Sequence, residues 1–285
     1  MTRVAVWGDG AVGYGLSVAL AGAGYSVELV GPTGSGRGER HIQASGYVNG
    51  NALVLHSECT DRVRAEVSII AVKAFHLEEV SRPAAKAASK ILCTCNGMGL
   101  DSKWGEGWGE VERMVLTAGF DLVGRESVRT FSGLCYVRKD GEARKLFQPT
   151  SLELEPVDDI ELPVWAKWLV NSVLNPLGAL TGASNNMLYD VGLEPVAKQL
   201  FAELSILLPD KLRPDAVEIA REMIDYLTEN SGNRCSMLVD LEKERETEIE
   251  FLTGFAERIR PGSSPTARIL SDLVRARSRV LPFEE

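Results

Sequence analysis

The stretch Arg3-Val4-Ala5-Val6-Trp7-Gly8-Asp9-Gly10-Ala11-Val12-Gly13, continuing into Leu16-Ser17-Val18-Ala19-Leu20-Ala21, decides the fold. A short apolar run of strand type leads into a glycine loop, and the loop leads into an Ala-rich segment of helix type. Gly8 permits a tight turn, Gly10 lets the backbone approach a pyrophosphate, and Gly13 lets helix and strand pack closely. Free amides at the helix start, aided by the helix dipole, then hold the anion. The bland alternative is a tight strand-to-helix turn that binds nothing. A second strand, Ser26-Val27-Glu28-Leu29-Val30, follows as the dinucleotide fingerprint requires. Gly8, Asp9, Gly10, Ala11, Val12 and Gly13 are therefore candidate cofactor contacts in an α/β, Rossmann-type domain.

Working outward, the end of that second strand discriminates NAD from NADP, because an acid there bonds the ribose 2′-hydroxyl and repels a 2′-phosphate. Gly31-Pro32-Thr33-Gly34-Ser35-Gly36-Arg37-Gly38-Glu39-Arg40 places no acid at that point. Arg37 and Arg40 are candidates for a phosphate, which points to NADP; Glu39 beside them works against it, and a solvated loop is the competing reading. Strand signals recur at Val67–Val72 and Lys90–Cys95, with an Ala-rich helical segment over Leu77–Ala88. The alternation predicts a doubly wound parallel sheet. Ligands of such sheets bind at the carboxyl ends of strands, so Lys73 and Asn96 are candidate contacts. Each also has a plain reading, as a solvent-facing lysine or a turn-capping asparagine.

Acids and prolines combine over Leu154–Pro163, which sets the expected boundary between a dinucleotide-binding domain, 1–160, and a helical domain, 161–285. Helical patterns cover Trp165–Leu180, Pro195–Leu208, Pro214–Glu229, Ser236–Phe255 and Pro265–Arg279. In the first of these Lys167, Asn171 and Asn175 recur every four residues, a polar stripe spanning about 80° of an otherwise apolar helix. Buried amides and ammonium groups need partners, and a polar ligand would supply them; a thin solvated edge is the alternative. Pro176 removes a backbone donor, so the helix is expected to kink or end there. Ser236, Asp240, Glu244 and Glu248 also recur every four residues, placing a hydroxyl and carboxylates along one helix face.

The chain's 285 residues, 45% hydrophobic, suffice for two moderate cores. A formal charge of −9 argues against a nucleic-acid partner. No apolar run approaches the 18 or so residues of a membrane span, and no secretory n-region precedes the first strand, so a cytoplasmic location without membrane contact is expected. Cys59, Cys93, Cys95, Cys135 and Cys235 are scattered, as are His41, His56 and His76; no metal site is expected. Cys93 and Cys95 share a face of their strand as small buried hydrophobes, with a redox pair as the lesser reading.

Taken together, these pieces resemble the ketopantoate (2-dehydropantoate 2-reductase) family. The resemblance rests on the Gly8-x-Gly10-x-x-Gly13 loop, Val72-Lys73-Ala74, Asn96-Gly97-Met98-Gly99, and Trp165-x-Lys167-x3-Asn171-x3-Asn175-Pro176-Leu177. It extends to Asn233-Arg234-Cys235-Ser236-Met237-Leu238-x-Asp240 and Arg245-x-Thr247-Glu248-Ile249-Glu250. It implies NADPH-dependent reduction of 2-dehydropantoate to pantoate, toward pantothenate and coenzyme A. By the same resemblance Lys167 is the general acid, and Glu248 binds the substrate hydroxyl and orients Lys167. Asn171, Asn175 and Ser236 hold the 2-oxo acid, Asp240 supports them, and Lys73 and Asn96 line the site. The chain departs from the family at Gly31-Pro32, where an arginine is common, and between Phe131 and Asp159, which is shorter than usual. A reductase of another 2-oxo acid and a non-catalytic NADP-binding sensor are the alternatives; a homodimer is the candidate assembly.

Overall fold

Strand β1 (Arg3–Trp7) buries Val4, Ala5, Val6 and Trp7 completely, which fixes it at the centre of a sheet covered on both faces. It pairs in parallel with β2 (Ser26–Gly31) on one side and β5 (Val67–Ile70) on the other. The computed structural model describes residues 1–103 and 111–280. They form two compact units: Met1–Cys95 with Leu100–Ile160, and Asn96–Gly99 with the chain from Glu161 onward.

In the first unit, β3 (Gly38–Gly46), β4 (Gly50–Glu58), β6 (Lys90–Cys93), β7 (Val111–Arg113), β9 (Gly119–Leu122) and β10 (Ser127–Phe131) complete a sheet of order β7-β6-β5-β1-β2-β4-β3-β10-β9. A smaller sheet joins β8 (Val115–Leu116), β11 (Leu134–Arg138) and β12 (Glu153–Val157) in the order β12-β11-β8. Helices α1 (Ala11–Gly22) and α2 (Leu77–Ala87) connect β1 to β2 and β5 to β6, while the short α3 (Glu142–Phe147) packs on β11. The two crossovers run in opposite directions from the β1/β5 boundary, and right-handed connections then put α1 and α2 on opposite faces. This is the doubly wound core, and its switch point lies beside Gly8 and the Val72-Lys73 corner.

Two features differ from the sequence expectation. The sheet is mixed, because β3 runs antiparallel to β4 and β9 antiparallel to β10. Consequently Arg40 is a strand residue of β3, not a loop residue, and only Pro32 to Arg37 remain loop. Likewise β6 stops at Cys93, so Cys95 lies beyond the strand, where its thiol reaches the Val72 carbonyl at 3.1 Å. Cys93 is fully buried, and its hydrogen bond from Cys95 holds its thiol down at about 7.

The second unit comprises α4 (Glu161–Thr181), α5 (Glu194–Ser205), α6 (Arg213–Asn230), α7 (Ser236–Glu242), α8 (Thr253–Ile259) and α9 (Pro265–Arg277). Helix α4 packs against α5, α6, α7 and α9, which is why Ala166, Trp168, Leu169, Val173 and Leu174 are buried around most of its circumference. It does not end at Pro176 but runs on to Thr181, because neighbours on several sides hold the turn that lacks a donor. The single helix expected over Ser236–Phe255 is a correction of another kind: α7 stops at Glu242. The Arg245 amide donates back to the Asp240 carbonyl at 2.8 Å, and Glu244 takes a left-handed φ of 52°. A run of Glu, Lys and Arg has no apolar face to bury, so little opposes this reversal. Among the described residues no helix is long and apolar enough to cross a membrane.

Candidate active site

In the second unit the segment Asn96-Gly97-Met98-Gly99 is clamped by the residues after α7. The Met98 amide donates to the Phe251 carbonyl at 2.9 Å. Gly97 has a φ of 87°, and a Cβ there would lie 2.5 Å from the Phe251 Cβ and 2.7 Å from its carbonyl oxygen, so no larger residue fits. This clamp sets Asn96 beside α4. Its Oδ1 accepts from Lys167 Nζ at 2.7 Å, and its Nδ2 donates to Glu248 Oε2 at 3.4 Å. One amide therefore links an ammonium to a carboxylate that is only 5% exposed. On the other side of α4, Trp168 Nε1 donates to the Leu252 carbonyl at 3.2 Å and packs edge-on against Trp165 and Phe255, anchoring the chain just after Glu248.

Asn171 and Asn175 continue the stripe from Lys167 and are half-buried. Cys235, which caps α7, donates from Sγ to the Asn175 carbonyl at 3.5 Å, and burial pushes its thiol up to about 11. Ser236, the next residue, is thus set near the Asn175 end of the stripe with its side chain exposed. Asp240 faces inward instead: its Oδ1 holds Arg245 at 2.9 Å, fixing the reversal that carries the chain to Glu248. Glu244 is exposed, so the four-residue spacing places Ser236 and Asp240 on one helix but not Glu244 or Glu248.

In the first unit the Gly8–Gly13 loop has the shape of an anion cradle. Gly8, at φ 125°, donates to the Val30 carbonyl at 2.8 Å, and a Cβ on it would sit 2.7 Å from the Ala71 carbonyl oxygen. A Cβ on Gly13 would lie 1.8 Å from the Gly8 carbonyl oxygen, whereas one on Gly10 would meet open space. Helix α1 has no side-chain cap and no acid in its first turn, so its amides remain available to a phosphate. These residues fit a dinucleotide's pyrophosphate. Lys73 lies three residues beyond β5, which stops at Ile70 and not at Val72, and is extended ahead of a short 3-10 turn. Arg37 is exposed; Arg40 donates from Nη1 to the Tyr14 hydroxyl at 3.1 Å and lies 3.8 Å from Asp9 Oδ2.

A family model described as ketopantoate reductase PanE/ApbA matches residues 4–131, and its C-terminal counterpart matches residues 159–276. The chain belongs to the ketopantoate reductase family. It is an oxidoreductase of the ketopantoate reductase type, 29% identical over 271 residues to a 2-dehydropantoate 2-reductase of Archaeoglobus fulgidus, with 88% of each chain covered. Among solved structures, the ketopantoate reductase from Ralstonia eutropha matches with a TM-score of 0.78 at 22% identity, covering 97% of this chain and 98% of that one. A D-mandelate dehydrogenase with NADH and anilino(oxo)acetate matches with a TM-score of 0.79 at 19% identity, over the same shares.

In this ketopantoate reductase homologue sequence reasoning passed over His56, which is one of three scattered histidines until β4 turns it inward. It is 2% exposed, and burial lowers its pKa from the ordinary 6.5, with the Arg40 charge adding to the effect. The unfolded chain therefore protonates here before the folded chain does. The contribution to stability is complete above pH 6.5 and declines as pH falls from there toward the lowered value. The melting temperature is expected to drop more steeply between about pH 7 and pH 5 than that of His56→Asn, which cannot titrate in that range; parallel curves from calorimetry would remove His56 as the cause.

Proposed function

We propose that this chain reduces 2-dehydropantoate to pantoate, placing it on the route to pantothenate and coenzyme A. The observation that carries the reading is the Lys167–Asn96–Glu248 relay. A 2-oxo acid needs a cation where charge grows on its keto oxygen and a proton for the resulting alkoxide. Lys167 supplies both: the ammonium stabilises the oxygen as the carbonyl is reduced, then passes a proton from Nζ to it. Asn96 fixes the direction of Nζ through a bond of 2.7 Å. Glu248 accepts the substrate hydroxyl and, through the same amide, restrains Lys167. Asn171 and Asn175, whose side-chain amides make no hydrogen bond among the described residues, are available to the substrate carboxylate together with Ser236. Asp240 acts as a positioning residue through Arg245.

A reduced nicotinamide dinucleotide, when bound, supplies the hydride. Gly8 to Gly13 and the first amides of α1 would hold its pyrophosphate, with Lys73 beside it. A 2′-phosphate would call on Arg37 and Arg40, and a 2′-hydroxyl on Asp9; the packing around Gly31 favours the second.

A second reading keeps Lys167 and Glu248 but assigns a bulkier 2-oxo acid, in line with the fold likeness to D-mandelate dehydrogenase. Dinucleotide oxidation followed by absorbance, with 2-dehydropantoate and a panel of 2-oxo acids, separates the two. The highest kcat/KM is expected with 2-dehydropantoate; a larger value with an aryl 2-oxo acid would transfer the assignment, and tight dinucleotide binding without turnover of any acid would make the chain a sensor.

A further inference from the structure

In folds of this type the last residue of β2 supplies the acid that reads the adenosine ribose. Here that residue is Gly31, and it is buried. A Cβ on Gly31 would lie 2.7 Å from Asp9 Oδ2, 2.7 Å from His56 Nε2 and 2.8 Å from Ser35 Oγ. A side chain here would have to displace three polar groups, from the β1 loop, from β4 and from the β2–β3 loop, that converge where it would start. The β2 end thus has a carboxylate after all, brought by the residue that follows Gly8.

The state of these groups indicates what they are set to bind. His56 Nε2 and Ser35 Oγ are buried atoms without a hydrogen-bond partner among the described residues. Asp9 Oδ2 stands 3.5 Å from His56 Nε2 and 3.8 Å from Arg40 Nη1, both longer than a sound hydrogen bond, and only the second joins opposite charges. Arg40 gives its short bond to Tyr14, not to Asp9. The convergence therefore offers one carboxylate as acceptor, flanked by an imidazole and a hydroxyl that can each donate or accept, with the Arg40 guanidinium 3.8 Å from the carboxylate and engaged with Tyr14. Glu58, which accepts from the Gly34 amide at 2.9 Å, ties the neighbouring loop with another carboxylate. A hydroxyl donor suits this set, whereas a phosphate monoester would bring nearly two negative charges against it.

We propose that Asp9 is the residue that reads the dinucleotide's adenosine ribose, accepting its 2′-hydroxyl in company with His56 and Ser35, so that this chain takes NADH in preference to NADPH. The proposal rests on the reading of the chain as a dinucleotide-dependent reductase and assigns which dinucleotide it uses.

Dissociation constants of NADH and NADPH, measured on the full chain by tryptophan fluorescence quenching, test it without substrate. The wild type is expected to bind NADH at least about tenfold more tightly than NADPH. Asp9→Asn should weaken NADH about 10- to 100-fold, the range for one lost hydrogen bond to a charged group, while leaving NADPH unchanged or tighter. A thermal melt checks that the variant is folded; should it not be, Ser35→Ala in the loop serves instead, with a smaller loss confined to NADH. Tighter NADPH binding by the wild type, or a variant that shifts both constants by the same factor, overturns the proposal. Selective, Asp9-dependent NADH binding with no turnover of any 2-oxo acid would uphold it and refute the reductase reading. Turnover of 2-dehydropantoate with NADPH alone would do the reverse.

Discussion

Lys167→Ala is expected to lower kcat about 10³-fold, within the 10²- to 10⁴-fold range of a lost acid that also stabilises charge, while dinucleotide affinity stays within about threefold. The asymmetry follows from where the residue lies. Lys167 belongs to α4 and bonds Asn96 at 2.7 Å, whereas the glycine cradle is built wholly from β1, α1 and the end of β5. Removing the side chain leaves Asn96 and Glu248 in contact, so the fold around them has reason to persist. Lys167→Arg keeps a positive charge but has no proton to give near neutral pH, and should recover little of the rate. Single-turnover kinetics with a fluorescence titration of the dinucleotide would check both; a kcat within tenfold of wild type in the alanine variant would sink the acid role.

The second large effect is expected at Gly13. A Cβ there would stand 1.8 Å from the Gly8 carbonyl oxygen, a backbone atom held by its neighbours and unable to swing aside. Gly13→Ala must therefore push α1 away from β1, and α1 is buried continuously from Gly13 to Leu20 against the sheet. Overpacking commonly costs 1–3 kcal/mol, and contact with backbone places this case at about 3 kcal/mol or more. That corresponds to a fall in melting temperature of roughly 10 °C. Dinucleotide binding should be lost as well, because the displaced helix start no longer aims its amides at a phosphate. Gly10→Ala, where a Cβ meets nothing, is the control: its melting temperature should be near wild type while binding is weakened. Equal melting temperatures for the two variants would show that the Gly13 packing is less tight than the structure makes it.

What was legible in the sequence was whatever a short-range rule governs. The Gly8–Gly13 loop, the buried runs of β1, β5 and β6, and the periodicity of α4, α5, α6 and α9 all state their geometry within a dozen residues. The hairpin of β3 and β4 does not. Its inward residues include the small Ala44 and Ala52, while Leu53 is 54% exposed, so the two-residue alternation of a half-buried strand is blurred. The end of α7 was hidden for a different reason: i, i+4 spacing persists in the letters through Glu248, but the reversal depends on Asp240 holding Arg245, a contact that no period reports. For the site, spacing alone places Lys167, Asn171 and Asn175 on one stripe. The meeting of Asn96 with Lys167 joins residues 71 positions apart and required the tertiary clamp by Phe251. His56 was unreadable because an isolated histidine in a mixed strand carries no sign of which way it faces.

Asn96 to Gly99, though encoded within the first half of the chain, fold as part of the helical unit. Heredity and chain order are thereby uncoupled. A gene fragment beginning at Glu161 would encode α4 to α9, Lys167 and Glu248, yet lack the amide that joins the last two. Recombination at the apparent seam would hand a new partner the scaffold without its relay, unless the donor supplied its own Asn-Gly-Met-Gly at the matching depth of its sheet. A working helical unit is thus encoded in two separate stretches of the gene, and four residues of the first half are part of it.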